Sequence, residues 1–145
     1  MKYRIQQIPA DRIDSVREQL QFMKAEADTQ EPDLAADRAE YWVAAESDGE
    51  QIGAAWAWDL DAQDSPAEMY VYLRPEYRSC GIGSDLVRTL TDLLALTGYP
   101  ELFATVRRDN YAVLLFGSVG FRPVREVDEV YTLRIDLSKI GQIEM

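Results

Sequence analysis

The chain has 145 residues, of which 47% are apolar, and its 26 acidic residues outnumber 15 Lys and Arg residues to give a net charge of −11 at pH 7. This acidic balance argues against a nucleic-acid-binding protein, because phosphate binding needs clustered basic residues, and it favours either a cationic partner or solubility alone. The chain has no histidine and one cysteine, which excludes Ser-His-Asp triads, histidine-ligated metals and an internal disulfide framework. We predict one domain over residues 1–145, because this length buries one sizeable core.

Nothing in the sequence predicts secretion or a membrane span. The first residues, "MKYRIQQIPADRIDSV", lack the long apolar core of a secretory signal, and no stretch approaches the roughly 18 apolar residues of a membrane span. We therefore expect a cytoplasmic protein without membrane contact.

Hydrophobic spacing and turn residues divide the chain into strands and helices. Strands are predicted at residues 2–8, 40–47, 51–60, 67–75, 101–106, 121–127 and 129–137. Helices are predicted at residues 10–23, from Gly83 to Gly98 and from Asp109 to Gly120. The Asp48-Gly49 pair predicts a tight hairpin turn, and residues 24–40, which carry six carboxylates, predict a loop or short surface helix. This order predicts an α/β (α+β) class, a mixed sheet with helices on its faces.

A glycine-containing loop, "RSCGIGSDL", joins the fourth predicted strand to the next helix. The first amides of a helix lack internal partners, and the helix dipole favours an anion there. Glycines without Cβ atoms allow a diphosphate to approach the backbone, and Arg78 adds positive charge. The loop therefore predicts a pyrophosphate-binding site.

The loop pattern has three other interpretations. A P-loop is excluded because no Gly-Lys-Ser/Thr follows the glycines, and a dinucleotide-binding fold is disfavoured because Leu86 stands where its third glycine belongs. An ordinary strand-to-helix turn, in which glycine only relieves local strain, stays open on the pattern alone.

Two sequence blocks resemble a known family. "VYLRPEYRSCGIGSDLV" resembles the acyl-CoA-binding signature of the GNAT superfamily of N-acetyltransferases, in which Arg/Gln-x-x-Gly-x-Gly/Ala follows the fourth strand. "DNYAVLLFGSVGF" resembles a later helix of the same family through Ala112, Gly120 and Phe121. The predicted order of elements resembles that fold over nearly the whole chain.

The resemblance implies a mixed, mostly antiparallel sheet of six to seven strands, with helices on both faces and a splay between strands 4 and 5. The pantetheine arm of acetyl-CoA would pair with the strand edge exposed by this splay. Acetyl-CoA is a co-substrate, and no metal is expected. The coenzyme-binding residues so implied are Val71, Tyr72, Leu73, Arg78, Ser79, Cys80, Gly81, Ile82, Gly83, Ser84, Asn110 and Phe116.

A base is needed because an alkyl ammonium with a pKa near 10.4 is mostly protonated at neutral pH. The resemblance places a carboxylate base early on the strand before the loop, where this chain has Glu68. A solvated glutamate is the alternative interpretation, since a register error of one residue would turn Glu68 to the other face of the sheet. Asp59 and Asp61 are weaker candidates.

The chain departs from the family pattern at two positions. Asp109, followed by Asn110, stands where an Asn is common, and Phe116 stands where a Tyr often protonates the departing thiolate. Water, Tyr111 or Ser118 would then supply the proton, or acid catalysis is dispensable because a thiol with a pKa near 8.5 leaves readily.

Other features have two interpretations each. Cys80 is favoured as an incidental loop residue over a nucleophile, because no histidine is present to activate it. Trp56 and Trp58 share one strand face and are expected in the core, or else around a cationic amine. The acidic residues 26–40 are a solvated face or attract a cationic acceptor. The terminal hairpin, 121–137, leaves an edge for pairing with a second copy as a homodimer.

We predict an N-acetyltransferase that moves an acetyl group directly from acetyl-CoA to a primary amine, which is a small-molecule amine, a polyamine, an aminoglycoside-like compound or a peptide amine. The alternative is a non-catalytic acyl-CoA-binding regulatory or toxin-neutralising module. A third interpretation, a protein that kept the fold without the coenzyme, requires that neither CoA nor acetyl-CoA bind.

Overall fold

The computed structural model describes residues 2–27, 35–60 and 67–138. Its strands are β1 (Arg4–Gln7), β2 (Tyr41–Ser47), β3 (Glu50–Asp59), β4 (Ala67–Leu73), β5 (Glu101–Arg107), β6 (Arg122–Val127) and β7 (Val130–Asp136). Its α-helices are α1 (Ile13–Glu26), α2 (Ile82–Thr97) and α3 (Ala112–Val119). The strands form one sheet in the order β1-β2-β3-β4-β5-β7-β6, and every described pair is antiparallel except β4 with β5. The predicted mixed, mostly antiparallel sheet is confirmed.

The β2–β3 hairpin turns as the sequence predicts. Asp48 and Gly49 both have a positive φ, of 53° and 78°. This is the backbone combination of a type I′ turn, whose twist matches that of the flanking strands. The turn places Ser47 opposite Glu50, and a bulge between Ala45 and Glu46 then shifts the register by one residue, so that Trp42 lies opposite Trp56.

Helices cover both faces of the sheet. Side chains alternate along a strand, so Gly53 and Trp56 of β3 point to opposite faces. A Cβ on Gly53 would lie 3.2 Å from Leu86 of α2, which places α2 on that face. On the other face Trp42 stacks on Trp56, and the guanidinium of Arg17 from α1 lies 5.9 Å from the Trp42 ring centroid.

A continuous row of aromatic rings forms the core of the second face. Adjacent ring centroids are 5.0–6.5 Å apart along the series Trp42, Trp56, Tyr70, Phe116 and Phe121. These rings connect the hairpin, β4 and α3, so the aromatic packing holds α3 against the sheet.

The described pairing of β4 with β5 is short and lies near the start of each strand. The described ladder consists of Ala67 opposite Leu102 and Glu68 opposite Phe103. Beyond these pairs β4 continues to Leu73 along β3, and β5 continues along β7. The predicted splay between strands 4 and 5 is confirmed.

The last helix begins later than the sequence suggested. Asp109 was predicted as its first residue, but α3 begins at Ala112. Asn110 provides the reason, because its Oδ1 accepts the Ala112 N–H at 2.8 Å, whereas Asp109 is exposed and pairs with Arg107 at 3.4 Å.

The acidic segment and the terminal hairpin are described in part. Of the acidic residues 26–40, positions 28–34 lie outside the described residues. All six residues of the edge strand β6 are exposed, and homodimer formation through this edge stays a prediction. Among the helices in the described ranges, none has the length and apolar content to cross a bilayer.

Replacing Gly53 by alanine tests the close packing of β3 against β4. The new Cβ would lie 2.8 Å from Leu73 Cδ1 and 2.9 Å from the Tyr72 carbonyl oxygen, which moves only with its strand. We expect Gly53→Ala to lower the free energy of unfolding by about 1–3 kcal/mol, measured by urea titration.

Gly117 of α3 is the matched control, because nothing lies within 4 Å of a Cβ placed there. Gly117→Ala should raise the free energy of unfolding by about 0.5–1 kcal/mol, since alanine favours the helix. Equal effects of the two substitutions would contradict the packing described for β3.

Candidate functional site

The opening between β4 and β5 exposes backbone groups of β4. The Arg74 N–H donates to Ile52 O on β3 at 2.9 Å, and backbone groups alternate in direction along a strand. The N–H and C=O of Val71 and Leu73 therefore point toward the opening, while those of Tyr72 point toward β3. Tyr72 was predicted to bind the coenzyme with these two residues, but its backbone has the wrong direction for that contact.

Both backbone groups of Leu73 are bonded to side chains. Its N–H donates to the Tyr111 hydroxyl at 2.9 Å, and its carbonyl accepts from Arg78 Nε at 2.9 Å. The Arg78 guanidinium carbon lies 3.6 Å from the Tyr111 ring centroid and 5.6 Å from that of Tyr72. Tyr111 and Arg78 therefore lie at the β4 edge of the opening.

The glycine loop ends at the uncapped start of α2. Gly81 has a φ of +89°, in the left-handed region that favours glycine, and nothing lies within 4 Å of a Cβ placed on it. The Asp85 N–H donates to Gly81 O at 3.1 Å, and no side chain of the described residues caps the helix. The amides of the first turn thus have no hydrogen-bond partner within the helix, and such amides bind anions.

Gly83 lies where α2 packs closely against α3. The sequence predicts that its missing Cβ makes room for a phosphate, and in the structure a Cβ there would lie 2.5 Å from Leu115 Cδ1 of α3. The glycine therefore allows α3 to pack on α2. The Ser84 and Ser118 hydroxyls, 2.7 Å apart, add a polar contact between the same helices.

The remaining predicted coenzyme residues fall into two groups. Ser79, Cys80 and Gly81 are exposed in the loop, and the Cys80 thiol donates to Tyr77 O at 2.9 Å. The side chains of Val71, Leu73 and Ile82 are buried, so these residues contact a ligand only through their backbone.

Phe116 and Asn110 both contact Tyr70 of β4. Phe116 is fully buried between Tyr70 and Phe121, so its ring offers no exposed surface to the predicted coenzyme. Asn110 Nδ2 donates to the Tyr70 hydroxyl at 3.2 Å while its Oδ1 caps α3. Asn110 thus positions α3 relative to β4.

Glu68 lies where β4 and β5 separate. It pairs in register with Phe103, is half-buried, and bonds to Thr105 on β5. Burial raises the pKa of the Glu68 carboxyl, while the Thr105 hydrogen bond and the charge of Arg38 partly oppose this rise. A carboxylate with a raised pKa is a stronger proton acceptor, which suits a general base.

Asp59 lies on the other face of the sheet. Trp58, not Asp59, is opposite Glu68, and side chains alternate along β3. The Asp59 carboxylate accepts a hydrogen bond from the Tyr99 hydroxyl, and burial together with this bond raises the pKa of Tyr99. Asp59 therefore does not approach Glu68, and Asp61 lies outside the described residues.

Trp56 and Trp58 are both buried in the core of the protein. Trp56 is fully buried and Trp58 is 4% exposed. Trp56 packs between Trp42 and Tyr70, which confirms the expected core position. Within the described part of the chain, no group of His, Cys, Asp or Glu side chains is arranged to hold a metal ion.

Sequence reasoning missed Tyr70 and Thr105 as neighbours of the opening. The sequence does carry a signal for Tyr70, because residues two apart on a strand share a face and Tyr70 is two residues from Glu68. Thr105 had none, since its approach to Glu68 depends on the parallel pairing of β4 with β5.

The raised pKa of Glu68 makes stability depend on pH in a defined direction. Its protonated form is favoured in the folded protein, so its stabilising contribution is complete below the unfolded-state pKa and is lost as pH rises through the folded-state pKa. We expect Glu68→Gln, which stays neutral, to gain stability relative to the wild type as pH rises from 4 to 8. Urea unfolding of both proteins measures this difference, in which the other titrations cancel. A difference independent of pH would contradict the burial of this carboxyl.

Comparison with known proteins agrees with this arrangement. The model of the acetyltransferase (GNAT) family matches residues 10–121. A GNAT-family acetyltransferase from Streptococcus pneumoniae has a similar structure, with a TM-score of 0.72 at 15% identity over 93% of this chain and 99% of that chain. A phosphinothricin acetyltransferase from Sinorhizobium meliloti in complex with acetyl-CoA is also similar, with a TM-score of 0.67 and 18% identity over 96% of this chain and 90% of that chain. The PaiA N-acetyltransferase from Thermoplasma acidophilum, in complex with coenzyme A, has a TM-score of 0.65 and 16% identity over 94% of this chain and 99% of that chain. The chain therefore belongs to the acetyltransferase (GNAT) family.

Proposed function

We propose that this protein transfers an acetyl group from acetyl-CoA to a primary amine by direct attack. The observation that carries the proposal is the parting of β4 from β5 beside the uncapped start of α2. This arrangement offers strand-edge amides for the pantetheine arm and helix amides for the diphosphate of one ligand. The acetyl-CoA and coenzyme A bound by the similar Sinorhizobium and Thermoplasma proteins support the same ligand here.

The coenzyme would contact the chain mainly through backbone groups. The backbone N–H and C=O groups of Val71 and Leu73 point toward the opening, and the backbone amides from Ser79 to Ser84 would bind the diphosphate. Arg78 supplies a positive charge beside them. Acetyl-CoA brings an activated thioester, and the protein orients that thioester against the amine.

Glu68 would accept the proton of the attacking amine, directly or through water. It lies at the end of the opening where β4 and β5 meet, on the same strand face as Tyr70. Because burial raises its pKa, the ionised carboxylate is a better base than an exposed glutamate. The acceptor would be cationic in its resting form, which suits a chain with a net charge of −11.

The leaving thiolate needs little assistance. Phe116 has no proton to give and is fully buried. Ser118 donates its proton to Leu115 O at 2.7 Å, so it is engaged within α3. A thiolate leaves readily because the pKa of its thiol is near 8.5, and water or Tyr111 suffices to protonate it.

The experiment offers a panel of primary amines, including polyamines, aminoglycosides and peptides, with acetyl-CoA and measures release of free CoA. We expect at least one amine to be acetylated, with intersecting steady-state lines as in direct transfer. Binding of CoA without turnover of any amine would favour the non-catalytic alternative. Ping-pong kinetics with an acetylated protein would contradict direct transfer.

Glu68→Gln is expected to lower kcat/KM by about 100-fold, the lower range of general-base effects. In the wild type, kcat/KM should fall at acidic pH as Glu68 is protonated, and the variant should lack that part of the profile. Both are read from CoA release between pH 5 and 9.

Asp59→Asn is the matched control, because it converts another carboxylate near the same end of the sheet, on the opposite face. Its kcat/KM should stay within about twofold of the wild type, below the range of proton-transfer effects. A larger loss in Asp59→Asn than in Glu68→Gln would reverse the assignment of the base.

A further inference from the structure

The edge of β4 that the proposed coenzyme needs is already bonded to the protein's own side chains. Leu73 N–H donates to the Tyr111 hydroxyl, and Leu73 C=O accepts from Arg78 Nε, both at 2.9 Å. Tyr111 precedes α3 and Arg78 lies in the glycine loop, so two separate segments meet on one residue of β4.

Tyr111 and Arg78 also contact each other. The guanidinium carbon lies 3.6 Å from the Tyr111 ring centroid, which is the distance of a stacked cation–π contact. The more distant ring of Tyr72, at 5.6 Å, borders the same guanidinium. Movement of Arg78 away from Leu73 therefore removes one support of the Tyr111 ring.

Each of these contacts has a counterpart in the coenzyme. A diphosphate attracts a guanidinium more strongly than a neutral carbonyl does, because both partners of the new bond are charged. A pantetheine amide carries a carbonyl that accepts an N–H as the Tyr111 hydroxyl does. Binding thus exchanges contacts at Leu73 instead of adding them to free groups.

We propose that Tyr111 and Arg78 form a latch on Leu73 that closes the β4 edge, and that coenzyme A opens it by exchange. The diphosphate draws Arg78 from the Leu73 carbonyl, and the pantetheine arm replaces the Tyr111 hydroxyl on the Leu73 N–H. This inference rests on the proposed function for its ligand, whereas the latch itself is a property of the protein alone. The closed latch lowers the apparent affinity for CoA, because the open, binding-competent state is only part of the ligand-free population.

The latch has a second physical consequence for the ligand-free protein. A strand edge with unpaired N–H and C=O groups pairs readily with other chains. Side chains bonded to both groups of Leu73 cover this edge until the coenzyme arrives.

Tyr111→Phe tests the latch, because it removes the hydroxyl and keeps the ring that Arg78 contacts. We expect its dissociation constant for CoA, measured by isothermal titration calorimetry, to fall by about 2- to 10-fold, the equivalent of one net hydrogen bond. Tyr99→Phe is the control, because Tyr99 bonds to Asp59, which pairs with Ala67 at the opposite end of β4 from Leu73. Its affinity for CoA should match the wild type. Circular dichroism confirms that both variants fold.

Hydrogen exchange tests the latch without any ligand. The Leu73 amide, followed by NMR in the CoA-free protein, should exchange faster in Tyr111→Phe than in the wild type, while the Arg74 amide, bonded to Ile52, should not change. Addition of CoA should remove the difference between the two proteins at Leu73.

The outcomes separate the latch from the proposed function. Unchanged exchange at Leu73 in Tyr111→Phe would overturn the latch, even if CoA binds. Faster hydrogen exchange in Tyr111→Phe, together with an equal or weaker affinity for CoA, would overturn the proposal that CoA replaces the Tyr111 hydroxyl. Tyr111 would then support the bound coenzyme. Faster exchange with no CoA binding by either protein would overturn the proposed function, and with it the role of CoA, while the contact would stand.

Discussion

The candidate site depends on one constraint: β4 and β5 each pair along their full length with a different neighbour, and only briefly with each other. Each of the seven residues of β4 pairs with β3, and each of the seven residues of β5 pairs with β7, but the two strands share only two pairs with each other. Their described pairing ends at Glu68 and Phe103. Because buried backbone groups must be bonded, the separated edge of β4 needs partners, and at Leu73 these are the side chains of Tyr111 and Arg78. A ligand that supplies equivalent partners can replace them.

Packing contacts fix the positions of the helices around the opening. Gly83 admits Leu115 against the first turn of α2, and Asn110 joins α3 to Tyr70 of β4. Phe116 completes the aromatic row between these elements. The absence of a tyrosine hydroxyl at Phe116 is therefore compatible with an intact site, because the buried ring contributes to the position of α3. The proton for a leaving thiolate has to come from elsewhere.

Glu68 is a titratable side chain that the fold holds at a cost in stability. Its carboxylate is half-buried at the junction of two strands, where desolvation raises its pKa and Thr105 keeps it bonded. An uncharged residue would be easier to bury there.

The sequence alone determined the order of the elements, the Asp48-Gly49 turn and the position of the glycine loop, because periodicity and turn chemistry are local signals. The splay came from the family resemblance instead of from local signals. Only the tertiary structure decided which face Asp59 occupies, why Gly83 lacks a side chain and which groups bond to Leu73. These features depend on strand register and on contacts such as Leu73 with Tyr111, 38 residues apart in the chain. Local sequence patterns carry no information about such pairs, since their geometry arises when the sheet and the helices pack together.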